Sequence, residues 1–103
     1  MSAQTLIAAA SAILAGGAAW TQHANAKNAA GKFVPIMSAD AVAWDVFGAL
    51  QKAHYDSGNP SFADYNDAYR LMKSRIPATA RSRDMEAFND EVSTFAEVAV
   101  LFA

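Results

Sequence analysis

The stretch SFADYNDAYRLMKSRIP, residues 61–77, decides the fold class. Phe62, Tyr65, Tyr69, Met72 and Ile76 fall at offsets 0, 3, 7, 10 and 14, an apolar stripe of helical period. Asp64, Asp67 and Arg70 lie between them. Gly58 supplies a stop for what precedes, Pro60 suits the first helical turn, and Pro77 ends the segment. The chain downstream repeats the pattern. Met85, Phe88, Val92, Phe95, Ala99 and Phe102 form a second stripe, with Glu86, Asp90, Ser93 and Glu97 opposite. This predicts a helix from near Ser82 to the C-terminus.

Upstream, Ser38 is a good N-cap with Asp40 in the first turn behind it. Ala43, Val46, Phe47, Leu50, Ala53 and His54 follow at helical spacings, and Trp44 and Tyr55 widen that face. Three consecutive amphipathic helices with short connections predict an all-α protein, a small antiparallel bundle over residues 38–103. No stretch shows convincing strand alternation.

An Ala/Gly-rich helix precedes the bundle. Residues 1–26 contain no Asp, Glu, Lys or Arg. Leu6, Ile13 and Trp20 recur every seven residues, and Ala3, Ala10 and Gly17 form a second seam. Small residues on one seam let another backbone approach closely. The helix is expected from Ser2 to Gln22, with a weak point at Gly16-Gly17, where each glycine costs about 1 kcal/mol relative to alanine. Residues 27–37, punctuated by Asn28, Gly31 and Pro35, read as a linker.

Three readings fit the uncharged segment. One is a helix buried in a bundle or an assembly, since a helix apolar nearly all round must be covered. Another is a secretory signal, with Ala24-Asn25-Ala26 as a small-x-small cleavage site that would leave 77 residues. The third is a membrane anchor through residues 5–20. That stretch gives only about 24 Å of helix against a bilayer core of about 30 Å.

Composition excludes several classes. The 103 residues are 53% hydrophobic, much of it from 25 alanines, and 17% charged, with a net charge of −2. Such a chain folds rather than staying disordered. Without cysteine it has no disulfides, thiol chemistry or zinc fingers, and its two histidines make a histidine-rich metal site implausible. Near-neutral charge speaks against a globally basic nucleic-acid binder. Residues 26–33, AKNAAGKF, lack the first glycine of a phosphate-binding loop and place Phe33 where a magnesium-holding hydroxyl belongs. There is no G-x-S-x-G and no Glu-x-x-His. His54 reads as a favourable charge or core-edge group at a helix end, Asp64 and Asp67 as a solvated face, and Tyr65 and Tyr69 as core.

Charge is blocked along the chain: a net of −4 over residues 40–67, +5 over 70–83 and −5 over 84–97. Lys73 and Arg75 close the third helix, where cations suit the dipole. Arg81 and Arg83 sit near a helix start and are candidates, with Lys73 and Arg75, for an anion or an acidic partner.

The expectation is therefore a non-enzymatic accessory or structural subunit that binds other protein chains, without metal or cofactor. A phage- or mobile-element-encoded protein would have this profile. The expected contact residues are Ala3, Leu6, Ala10, Ile13, Gly17 and Trp20 on the first helix and Val98, Leu101 and Phe102 at the C-terminus. The alternatives are an exported or membrane-tethered helical domain, and an electrostatic binder of phosphate or nucleic acid through residues 70–83. A cytoplasmic or assembly-bound location is favoured over a secreted or membrane-associated one.

Overall fold

A computed structural model describes residues 2–58 and 62–103. The molecule is mostly helical with a small two-stranded sheet. Helix α1 spans Ala3–Leu14 and runs into a 3-10 turn at Ala15–Gly17. Strands β1 (Ala26–Lys27) and β2 (Ala43–Trp44) follow, then α2 (Val46–Asp56), α3 (Ala63–Ser74), α4 (Met85–Glu91) and α5 (Phe95–Val98). A last 3-10 turn covers Ala99–Phe102.

Helix α1 is capped by Ser2, whose hydroxyl accepts from Thr5 N–H, and it stops where the glycines predict weakness. Ala15 adopts φ 51°, Gly16 φ 65° and Gly17 φ 104°, so the chain turns through the left-handed region instead of continuing to Gln22. A Cβ on Gly17 would press to 3.1 Å on Phe95, so the small seam residue there lets α5 approach. Leu6, Ile7, Ala10 and Leu14 are buried, and α1 packs chiefly on α2 and then on α3. Within this chain α1 is part of one core with Val46, Leu50, Met72, Met85, Val98 and Leu101. No helix among the described residues is long and apolar enough to cross a membrane.

The expected linker is built into the structure. Ala26 pairs with Trp44 and Lys27 with Ala43 in an antiparallel register. Phe33 bridges to Lys27 on the other side of β1, and Trp20 bridges in parallel to Trp44. Four short segments thus lie side by side, and Ala26 within β1 is fully buried. This corrects the reading that the chain has no strands.

It also moves the start of the second helix. Ser38 is not its N-cap: its hydroxyl accepts from Asp40 N–H in a local turn. Residues 43–44 are held in the ladder, so the helix starts only beyond them, with Asp45 as N-cap accepting from Gly48 N–H at 2.5 Å. The expected restart at Asn59-Pro60 lies outside the described residues. The third helix agrees with its stripe and ends before Pro77.

The predicted C-terminal helix is broken. Its N-cap is Asp84, whose carboxylate accepts from Ala87 N–H. At Val92 the backbone turns extended, with φ −76° and ψ 157°. Gln22 Nε2 donates to the carbonyls of Asn89 and Val92 at 2.9 and 2.7 Å, satisfying oxygens that another helical turn would have used. Glu97 then accepts from Ser93 N–H and Thr94 Oγ1 and organises the start of α5.

Candidate functional site

The residues expected to meet a partner are mostly turned inward. Leu6, Ala10, Val98 and Leu101 are buried, while Ala3, Ile13, Trp20 and Phe102 are half-buried against the same core. The cations of residues 70–83 do not form one patch either. Arg75 donates from Nη1 to the Leu101 carbonyl at 3.0 Å. Arg83 donates to the carbonyls of Ile76 and Pro77, just past the end of α3. Both guanidiniums therefore serve backbone oxygens. Lys73 and Arg81 are exposed, without an ion pair among the described residues. His54 is buried among the rings of Tyr55, Phe62 and Tyr65, at centroid distances of 5.3, 4.7 and 5.2 Å. Asp67 pairs with Arg70 on the surface.

Two features stand out, and both involve the segment between α1 and α2. The first is a buried polar hub. Asn89, on α4, is fully buried. Its Oδ1 accepts from Trp20 Nε1 at 2.7 Å and Val46 N–H at 3.2 Å, and its Nδ2 donates to Thr21 O and Asp90 Oδ1. One amide thus joins α4, the start of α2 and the chain before β1. Beside it lies Asp45, only 2% exposed. Asn25 Nδ2 donates to Asp45 Oδ2 at 2.9 Å and to Glu86 Oε2 at 2.8 Å, so one amide nitrogen serves two carboxylates. Burial pushes the Asp45 carboxyl up to about 7, against the pull of the Gly48 and Asn25 hydrogen bonds and with a further push from Glu86 and Asp90. Asp90 in turn accepts from His23 N–H at 2.8 Å, and the His23 ring lies 3.7 Å from its other oxygen. Among the described residues no group of three or more His, Cys, Asp or Glu side chains is placed to hold a metal ion.

The second feature is the loop at residues 28–42, which the ladder holds at its base. Asn28 Oδ1 accepts from Ala30 and Lys32 N–H, Val34 N–H reaches Ala26 O, and Val42 N–H reaches Lys27 O. On this ordered frame Phe33 is 75% exposed, Val42 50% and Met37 47%. The hub adjoins the base directly: Asp45 N–H donates to Asn25 O, which makes Asn25 and Asp45 the next rung below Ala26 and Trp44.

A cavity of about 400 Å³ opens elsewhere, between residues 77–80, α4 and the C-terminal turn. Phe88, Val92 and Val100 line it with Glu91 and Glu97. Glu91 accepts from the N–H groups of Arg81 and Ser82, so that carboxylate is occupied in holding the loop.

The sequence does not announce the polar hub. Asp45 reads there as one member of an acidic run, and nothing in the local pattern marks Asn89, whose partners beyond its neighbour Asp90 lie 43 to 69 residues away. A legible signal does exist at Thr94-x-x-Glu97, the spacing of a helix start.

A family model, described as a family of unknown function (DUF6197), matches residues 1–103, and the chain belongs to that family. No curated protein and no solved structure matches it.

Proposed function

We propose that this member of the family is a non-catalytic accessory subunit that docks onto another protein chain through its 28–42 loop. The observation that supports this is the exposure of Phe33, Met37 and Val42 on a loop held in place by hydrogen bonds at its base. Binding groups are commonly carried on loops held by a rigid scaffold, and large apolar side chains left in water on such a loop mark contact surfaces. Lys32 and Lys27 flank Phe33, one in sequence and one across the ladder, so the matching surface is an apolar recess with acidic residues at its rim. In this reading an antiparallel arrangement of the helices is the frame, and α1 belongs to the frame rather than to the contact. The hub is read as an element of the fold, because each of its side chains is engaged in joining segments of the chain.

The test is a photo-crosslinking amino acid at position 33, expressed in the cells that make the protein. One dominant protein adduct is expected, lost when Val42→Asp is added and missing when the probe stands at Leu71 on α3. Equal adducts from positions 33 and 71, or none from position 33, would refute a docking role for the loop.

A further inference from the structure

We propose that the Asn25–Asp45 rung is a pH-sensitive clasp on the base of the 28–42 loop, closed while Asp45 is protonated and loosened when Asp45 ionises beside Glu86. The geometry carries this. Asp45 is 2% exposed, and among the described residues no cation lies within salt-bridge distance of it. From α4, Glu86 and Asp90 face it with like charge. From the segment before β1 only the Asn25 amide reaches it, and that nitrogen is shared with Glu86. His23 stands beyond Asp90 and pairs with that residue instead. From its own helix Asp45 receives the Gly48 N–H. On α3, Tyr65 faces the charge of Glu86, and burial pushes its phenol upward, so it stays neutral and adds no charge of either sign. An ionised Asp45 therefore puts a negative charge in a buried place beside another carboxylate, with one amide between them.

The same rung carries the backbone bond from Asp45 N–H to Asn25 O, directly below β1 and β2. Loosening it frees the ladder from its lower end, which is the end nearest the core. Opening exposes Asp45 to water, where its carboxyl returns from about 7 toward its ordinary value of 3.8. Linkage then makes opening about tenfold more favourable at pH 8 than at pH 6. If the loop is the docking surface, as proposed above, affinity for the partner falls over the same range. The clasp itself does not depend on that reading.

The test is amide hydrogen exchange on the full chain at pH 6 and pH 8, read as protection factors so that the intrinsic pH dependence cancels. The amides of Val42 and Asp45 are expected to lose about tenfold in protection through an opening with little denaturant dependence, which marks it as local, whereas Met72 in the core of α3 exchanges with the denaturant dependence of global unfolding. Asp45→Asn keeps a competent N-cap and should remove the pH dependence. Should that variant fail to fold, Glu86→Gln keeps Asp45 and removes the nearest like charge, and a smaller loss of protection is expected. Protection at Asp45 that does not change with pH would overturn the clasp, as would an equal loss in the wild type and Asp45→Asn. Because exchange is read without a partner, failure here is distinguishable from failure of the crosslink at Phe33.

Discussion

Gly48→Ala sets the close approach of β1 to α2 against simple helix propensity, because the two predict opposite signs. Gly48 is the third residue of α2, where alanine is worth about 1 kcal/mol more than glycine in an open helix. A Cβ at this position, however, would overlap the Asn25 carbonyl oxygen and stand 3.0 Å from Asp45 Oδ1. The Asn25 oxygen is backbone and already accepts from Asp45 N–H, so it cannot swing away as a side-chain end could. Forcing the two segments apart belongs with overpacking, which costs about 1–3 kcal/mol, and it also strains the Asn25–Asp45 rung. After the propensity gain is subtracted, a net loss of up to about 2 kcal/mol is expected. Urea denaturation followed by circular dichroism measures it as a lower midpoint at unchanged slope. An alanine variant more stable than the wild type by about 0.5 kcal/mol or more would show that β1 and α2 do not approach as described.

Other outcomes follow from the same contacts. Asn89→Ala leaves the Trp20 indole N–H, Val46 N–H and Thr21 carbonyl without their partner and should cost about 3 kcal/mol or more, read from denaturant midpoints. Arg83→Met should destabilise by about 1 kcal/mol through the lost carbonyl bonds near α3, whereas Arg81→Met should stay within about 0.5 kcal/mol of wild type. Stability should also fall as pH rises from 5 to 8. The folded-state pKa of Asp45 is raised above its unfolded value, so the native state holds the proton more tightly and loses that advantage between 3.8 and about 7. From pH 5 to pH 8 the loss is about 2–3 kcal/mol, and thermal melts of Asp45→Asn should lack it.

Much of the helical part is legible in the sequence. The stripe from Phe62 to Ile76 and the stop at Pro77 place α3 nearly to its ends. Gly16-Gly17 marks the end of α1, because positive φ is accessible there at little cost. The apolar seam of α1 indicates a covered helix. What covers it in this structure is α2 and α3, a pairing between segments distant in sequence that periodicity alone does not specify. The β1–β2 ladder is invisible for a different reason: strands of two residues are too short to show alternation. That omission displaces the helix N-cap from Asp45 to Ser38, since a residue paired in a ladder cannot begin a helix. The break after Glu91 depends on Gln22, some 70 residues away, taking the last carbonyls of α4. Arg83 reads as a cation out of place at a helix start, yet its guanidinium reaches back to carbonyls at the end of the preceding helix. The hub escapes detection because Asn25, Asp45, Glu86 and Asn89 are ordinary polar residues until the fold gathers them.

Helix α1 and the segment through β1 are integral to one core and frame the exposed loop. Native-state hydrogen exchange of the full chain tests this most directly, comparing the Ile7–Leu14 amides of α1 with Met72 of α3. Both sets should exchange with the same opening free energy and the same denaturant dependence, as parts of one cooperative unit. Exchange of the α1 amides orders of magnitude faster, with α2 and α3 still protected, would contradict a shared core.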